Sequence, residues 1–144
     1  MIRTVQTEII TETIKKMCIE ANYSLSSDMV KAMRKAEEKE ESVLGKQILA
    51  QLQDNLEIAA SDMIPICQDT GMAVVFLEVG QDVHFEGGSF EDAVNEGVRR
   101  GYTEGFLRKS VVGDPILREN TKDNTPAVIH TRIVEGDRVK ITVG

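Results

Sequence analysis

The chain has 144 residues, of which 41% are hydrophobic and 28% charged, and its formal net charge is −7. This length and balance are typical of one soluble globular domain, which can bury roughly 70% of its unfolded surface. A nucleic-acid-binding surface usually carries a basic excess, so the acidic charge argues against a nucleic-acid partner. No stretch approaches the roughly 18 consecutive apolar residues of a membrane helix, so we expect no membrane insertion.

The two cysteines, Cys18 and Cys67, lie far apart in the chain. Charged residues interrupt the apolar residues near the N-terminus, which is not typical of a secretory signal. Widely spaced cysteines without such a signal are typical of reduced thiols rather than of a disulfide framework. The sequence therefore predicts a cytoplasmic protein.

The first part of the chain, residues 1–62, has helical periodicity. Apolar residues at three- and four-residue intervals predict three amphipathic helices: one over residues 4–21, one that runs through residues 29–36 and one over residues 43–60. Ser26 or Ser27 is the expected N-cap of the second helix, and Ser42 that of the third. Cys18 lies on the apolar stripe of the first helix, so we expect it to be a buried thiol. The short connections predict that the three helices pack as a small antiparallel bundle.

The second part, residues 63–144, has strand signals. A nearly unbroken apolar run predicts a strand over residues 72–79 with both faces covered. Two further strands are predicted over residues 126–134 and 138–143, joined by a hairpin turn. The alternation of apolar and polar residues in the last strand predicts one buried and one exposed face.

One helix interrupts these strands. Ser89 is its expected N-cap, with Asp92 three positions later as in a capping box. Gly97, Gly101 and Gly105 recur every four residues and so share one helix face, which costs stability unless another element packs closely there. Helices followed by strands predict an α+β (mixed α/β) fold: an N-terminal helical bundle packed on a β-sheet with one or more further helices.

Between the two parts lies the central loop, residues 65–71 (PICQDTG). Pro65 stops the preceding helix, and Gly71 allows a turn or a close approach to a ligand. The residues between them offer a thiol, an amide, a carboxylate and a hydroxyl: Cys67, Gln68, Asp69 and Thr70. Burying these polar groups without partners would be costly, so a site for a polar ligand explains them better than a core does.

Three chemistries fit this loop, and the residues alone leave all three open. Cys67 can be a ligand of a metal or an iron–sulfur cluster, bound as the thiolate. It can instead be a nucleophile, which needs a base such as His84 or His130. Asp69 can be a general acid or base whose neighbouring amide and hydroxyl orient a polar substrate.

The loop and two later segments together resemble a known family. These segments are residues 106–110 (FLRKS) and 120–127 (NTKDNTPA), each in the expected order. The sequence resembles the α subunit, or N-terminal region, of the class I iron–sulfur hydro-lyases, which are the oxygen-sensitive fumarate hydratases and the L(+)-tartrate dehydratases. The resemblance covers essentially the whole chain and is sharpest from residue 65 to residue 143.

The resemblance implies roles for four residues. Cys67 corresponds to one of three cysteine ligands of a [4Fe–4S] cluster, whose open iron acts as a Lewis acid on a small dicarboxylate such as fumarate, malate or tartrate. Gln68 corresponds to a substrate hydrogen-bond donor, and Asp69 to the catalytic acid for the hydroxyl group. Arg108 corresponds to an arginine that binds a substrate carboxylate, which suits its planar fork.

The resemblance also implies missing parts. In the family the base belongs to the C-terminal region or β subunit, and two more cluster cysteines follow this region. We therefore expect residues 1–144 to be the N-terminal portion of an α chain, inactive alone and active as part of a homo- or hetero-oligomer. The alternatives are a non-catalytic assembly or interaction module of the same fold and a cysteine-nucleophile hydrolase.

Overall fold

The computed structural model describes residues 2–67 and 71–144. The chain forms two compact units. The sheet unit comprises Met1–Ile19 and Asp69–Gly144, and the helix-pair unit comprises Glu20–Gln68. The mixture of helices and small sheets confirms the predicted α+β class. Within the described residues, no helix has the length and apolar character to cross a membrane.

The elements follow one another in the order β1-α1-α2-α3-β2-β3-α4-β4-β5. The helices are α1 (Thr7–Tyr23), α2 (Ser27–Lys39), α3 (Val43–Asp62) and α4 (Phe90–Glu104). The strands are β1 (Arg3–Gln6), β2 (Val74–Gly80), β3 (Val83–Glu86), β4 (Val128–Val134) and β5 (Val139–Val143).

The helix-pair unit consists mainly of α2 and α3, which pack on each other. Ser26 is the N-cap of α2 and Ser42 that of α3, as predicted. The Ser42 hydroxyl accepts a hydrogen bond of 3.2 Å from the Gly45 amide, which satisfies one of the amides left open at a helix start. Met63 ends α3 in the left-handed conformation, with φ of 54°.

The main sheet of the sheet unit has the strand order β4-β2-β5. β2 is parallel to β4 and antiparallel to β5, so the predicted hairpin between the last two strands is wrong. The intervening turn crosses the end of β2 instead, where the Asp82 amide donates to the Gly136 carbonyl at 3.0 Å. A Cβ atom at Gly80 would lie 2.3 Å from that carbonyl oxygen, so glycine permits the crossing.

The apolar run of β2 is covered on one face only, which corrects the prediction of two covered faces. Val75 and Leu77 are at most 1% exposed, whereas Phe76 between them is 49% exposed. The Phe76 ring stacks on His130 of β4, with ring centroids 5.1 Å apart. In β5 the predicted alternation is present, since its valines and isoleucine are half-buried and its lysine and threonine exposed.

The sheet unit also contains a second, two-stranded sheet, which the sequence pattern does not predict. β1 occupies the start of the segment predicted as the first helix, and β3 lies in the polar region before Ser89. The two strands pair in parallel, with Val5 opposite Phe85. Each has only four residues, too few for a recognisable alternation of apolar and polar residues.

The glycines of α4 mark its contact with α1. A Cβ atom at Gly97 would lie 2.7 Å from the Thr11 carbonyl oxygen, and one at Gly101 would lie 2.8 Å from Cys18 Cβ. The close packing predicted from the glycine repeat is therefore confirmed, with α1 as the partner. The residues of α1 that make this contact belong to the sheet unit.

Charged groups reinforce this helix pair. The guanidinium group of Arg100 contacts the carboxylates of Glu8 and Glu12 on α1, at 2.6 and 2.9 Å. Its Nε also contacts Glu96 one turn earlier on α4, at 2.8 Å. These contacts hold α4 against α1 and so fix the start of the segment that follows α4 and carries Arg108.

Candidate active site

Cys67 stands at the end of the helix-pair unit. The chain turns back after α3, and the Ile66 amide donates to the Asn22 carbonyl at 2.8 Å. The Cys67 amide then donates to Asn55 Oδ1, a side chain of α3, at 3.1 Å. These two bonds fix the backbone of Cys67, and its side chain is exposed.

Three residues of the central loop, Gln68, Asp69 and Thr70, lie outside the described residues. The predicted roles of Gln68 as a hydrogen-bond donor and of Asp69 as an acid therefore stay predictions. The description resumes at Gly71, in the sheet unit.

Arg108 lies in the sheet unit, in the segment of residues 107–111 that follows α4. Leu107 and Val111 are buried at the two ends of this segment, with exposures of 5% and 6%. Arg108 itself is exposed. The two buried ends hold the segment on the unit while the arginine remains at its surface, and its predicted contact with a substrate carboxylate stays a prediction.

A fully buried asparagine connects this segment to the central loop. Asn124 Oδ1 accepts hydrogen bonds from the amides of Ser110 and Val111, at 2.7 and 3.0 Å. Its Nδ2 donates to the carbonyl of Gly71 at 3.3 Å. Asn124 lies within the family-like run NTKDNTPA, but the sequence does not predict this role. The reason is that these three hydrogen bonds join Asn124 to backbone groups that are distant in the chain.

Asp123 ties the same loop to α4. Its carboxylate accepts a bond from Arg99 Nε at 2.9 Å and bonds from the Thr125 amide and hydroxyl at 3.0 and 2.8 Å. Burial alone would raise the pKa of Asp123, but the bonds from Arg99 and Thr125 outweigh it and lower that pKa to about 2. Asp123 is therefore a charged anchor for the loop and not a proton donor near neutral pH.

The second cysteine, Cys18, is only 1% exposed, which confirms the predicted buried thiol. Burial raises its pKa to about 12, so it does not form a thiolate near neutral pH. Metal and cluster ligation by cysteine needs the thiolate. Cys18 is therefore unsuited to serve as a ligand.

The described residues offer few ligands for an iron–sulfur cluster. A [4Fe–4S] cluster is held by several cysteine thiolates. Of the two cysteines, Cys67 is exposed and Cys18 is enclosed among α1 and α4 side chains. Among residues 2–67 and 71–144, no three histidine, cysteine or acidic side chains form a group that could hold a metal ion. Cys67 fits the role of one ligand, and a complete set needs thiolates from further protein.

The two histidines considered as bases belong to the sheet unit. His130 stacks on Phe76 in the open face of the main sheet, and His84 is exposed on β3. The ring of His130 thus makes a packing contact on that face.

Comparison with known proteins gives consistent matches. The family model described as fumarate hydratase (fumerase) matches residues 11–144. A Methanocaldococcus jannaschii protein named "Putative L(+)-tartrate dehydratase subunit alpha" is 34% identical over 116 residues, which are 80% of this chain and 40% of that protein. The anaerobic class I fumarate hydratase of Escherichia coli is 39% identical over 97 residues, which are 66% of this chain and 18% of that enzyme. The L(+)-tartrate dehydratase subunit alpha of Escherichia coli is 25% identical over 137 residues, which are 93% of this chain and 45% of that subunit. The chain thus spans less than half the length of each of these relatives.

Proposed function

The chain belongs to the fumarate hydratase family, and on that premise we propose that it is the N-terminal portion of the α chain of an iron–sulfur hydro-lyase. The observation that carries the proposal is the family match over residues 11–144, which includes the central loop with its exposed Cys67. Relatives named as fumarate hydratases and as tartrate dehydratase α subunits support a small dicarboxylate substrate, either fumarate and malate or tartrate.

Cys67 is the proposed ligand of a [4Fe–4S] cluster. Its exposed side chain and its backbone, held by Asn55, support this role. When bound, the cluster supplies a Lewis acid for the hydroxyl and carboxylate groups of the substrate. The remaining thiolate ligands come, in this proposal, from further protein outside residues 1–144.

The other proposed roles belong to three side chains. Arg108 binds a substrate carboxylate through its planar guanidinium, and Gln68 donates a hydrogen bond to the substrate. Asp69 gives a proton to the leaving hydroxyl in dehydration and takes one from water in hydration. The base that removes the carbon-bound proton belongs to a β subunit or a C-terminal domain, so the active enzyme is an oligomer or a longer chain, which we place in the cytoplasm.

An anaerobic assay tests the proposal. The chain is reconstituted with iron and sulfide, alone and together with the remainder of an α chain and its β partner, and assayed with fumarate, malate and tartrate. We expect activity only in the complete assembly and its loss in a Cys67→Ala variant, with Cys18→Ala as the matched control that keeps activity. A stable cluster or turnover on the isolated chain would refute the claim that this portion is incomplete. Inactivity of the complete, cluster-loaded assembly towards all three substrates would refute the hydro-lyase function and favour an assembly module.

A further inference from the structure

Asn124 joins two separate segments of the sheet unit, and we call its hydrogen bonds to Ser110, Val111 and Gly71 the clasp. Its side-chain oxygen holds the amides of Ser110 and Val111, and its side-chain nitrogen holds the carbonyl of Gly71. The side chain is 0% exposed, so its amide oxygen and nitrogen depend on these protein partners rather than on bulk water. A buried donor or acceptor without a partner loses its hydration with nothing in return, which favours the joined arrangement of the two segments.

The backbone at this position also suits asparagine. Asn124 has φ of 61°, in the left-handed region that asparagine adopts more readily than most residues. Asp123 beside it is bound by Arg99 of α4, and Tyr102 of α4 forms a side-chain hydrogen bond with Asn124. Asp123 and Asn124 are therefore both bonded to α4, the helix that packs on α1 through its glycines.

The two segments joined by Asn124 are the neighbours of proposed active-site residues. Gly71 stands two positions after Asp69, and Ser110 stands two positions after Arg108. A constraint on Gly71 and Ser110 therefore acts within two residues of the proposed acid and of the proposed carboxylate-binding arginine. A misplacement of about 1 Å in such groups can cost on the order of a hundredfold in rate.

We propose that Asn124 is a positioning residue that holds the Arg108 segment against the Gly71 end of the central loop. This inference rests on the proposed hydro-lyase function and adds to it a residue that touches neither substrate nor cluster. The acceptor side of its amide holds the Arg108 segment, and the donor side holds the carbonyl of Gly71.

Two variants separate the two sides of the amide. Asn124→Gly suits the positive φ and removes the three bonds to backbone groups together with the bond to Tyr102. Asn124→Asp keeps an acceptor for Ser110 and Val111 but faces the Gly71 carbonyl with an oxygen in place of the donor. Lys122→Gly is the matched control, since Lys122 is exposed in the same loop and also has a positive φ, of 67°.

The first measurement is amide hydrogen exchange on the 144-residue chain, which needs neither cluster nor substrate. We expect the Ser110 and Val111 amides to exchange at least about tenfold faster in Asn124→Gly than in the wild type, because they lose their acceptor. Their exchange should be nearly unchanged in Asn124→Asp and in Lys122→Gly.

The second measurement is the steady-state kinetics of the complete, cluster-loaded assembly. In Asn124→Gly we expect kcat/KM to fall about a hundredfold, and in Lys122→Gly to stay within about twofold of the wild type. Asn124→Asp should lower kcat while KM stays within about twofold of the wild type, because the Arg108 segment keeps its acceptor while the Gly71 carbonyl loses its donor. A role in stability alone would not separate kcat from KM in this way.

The possible failures are distinguishable. If the wild-type assembly is active and Asn124→Gly retains its kcat/KM, the positioning role is refuted whatever the exchange result. If Asn124→Asp keeps the kcat of the wild type, the link to Gly71 is refuted. An inactive wild-type assembly would refute the proposed function, while the exchange measurement would still report whether the clasp exists.

Discussion

The contact between α1 and α4 gives the most direct energetic prediction, for the substitution Gly97→Ala. The added methyl group would lie 2.7 Å from the Thr11 carbonyl oxygen and 2.8 Å from Ile14 Cβ. Neither atom can rotate away, because one belongs to the backbone of α1 and the other is the branching atom of a wholly buried side chain. The two helices must therefore separate by several tenths of an ångström.

The expected magnitude is a difference between two effects. Overpacking of a buried contact costs about 1–3 kcal/mol. Replacement of glycine by alanine inside a helix returns about 1 kcal/mol of that cost. We expect Gly97→Ala to lower the free energy of unfolding by up to about 2 kcal/mol, which at a typical urea dependence of about 2 kcal/mol per molar shifts the midpoint by up to roughly 1 M.

Urea unfolding followed by circular dichroism measures this shift, with Gly45→Ala as the matched control. Gly45 lies in α3, and the three atoms nearest to a methyl group there all belong to the flexible side chain of Glu40. The control should therefore be neutral or stabilising by about 0.5–1 kcal/mol. A midpoint that rises as much in Gly97→Ala as in Gly45→Ala would show that α1 and α4 can move apart without cost, and would refute the reasoning.

Two further predictions concern the loops and the thiols. Asp123→Asn should destabilise the chain by about 1–2 kcal/mol at neutral pH. The pKa of Asp123 is lowered from 3.8 to about 2, so its charged form contributes stability above pH 4, and this contribution is lost as the pH falls towards 2. Unfolding curves of wild type and variant should therefore converge between about pH 4 and about pH 2, and a gap independent of pH would contradict the assigned bonds to Arg99 and Thr125. Brief alkylation of the native chain should modify Cys67 and leave Cys18 unmodified, because Cys18 is 1% exposed with a pKa of about 12. Mass spectrometry locates the label, the variant Cys67→Ser should take up none in the native state, and rapid labelling of Cys18 would contradict its burial.

The features that could be predicted from the sequence depend on neighbouring residues. The Ser42 and Ser89 caps are local, because each hydroxyl binds an amide three residues later. The glycine repeat in α4 indicated a close contact because glycine is costly in a helix without one. Each of these signals is contained within a few turns of one helix.

The features that were missed depend on distant pairing. The two partners of β2 are separated from it by α4, and no local signal distinguishes a hairpin of β4 and β5 from a crossing at the end of β2. At the site, the chemistry-bearing residues of the central loop were recognisable by type. Asn55 and Asn124 were not, because an asparagine that binds distant backbone groups has the same local sequence as one in an ordinary helix or turn.

The strand order of the main sheet has a consequence for the order of folding. β2 does not pair with a strand adjacent to it in the sequence: its two partners, β4 and β5, both come after α4. β1 likewise pairs with β3, which follows it only after three helices and β2. The helix-pair unit, in contrast, is one uninterrupted piece inserted within the sheet unit. Contacts between distant residues carry a larger loop-closure cost and form more slowly than local ones. We therefore expect α2 and α3 to assemble first as the chain leaves the ribosome, while the apolar β2 remains exposed to aggregation until Val143 has been synthesised.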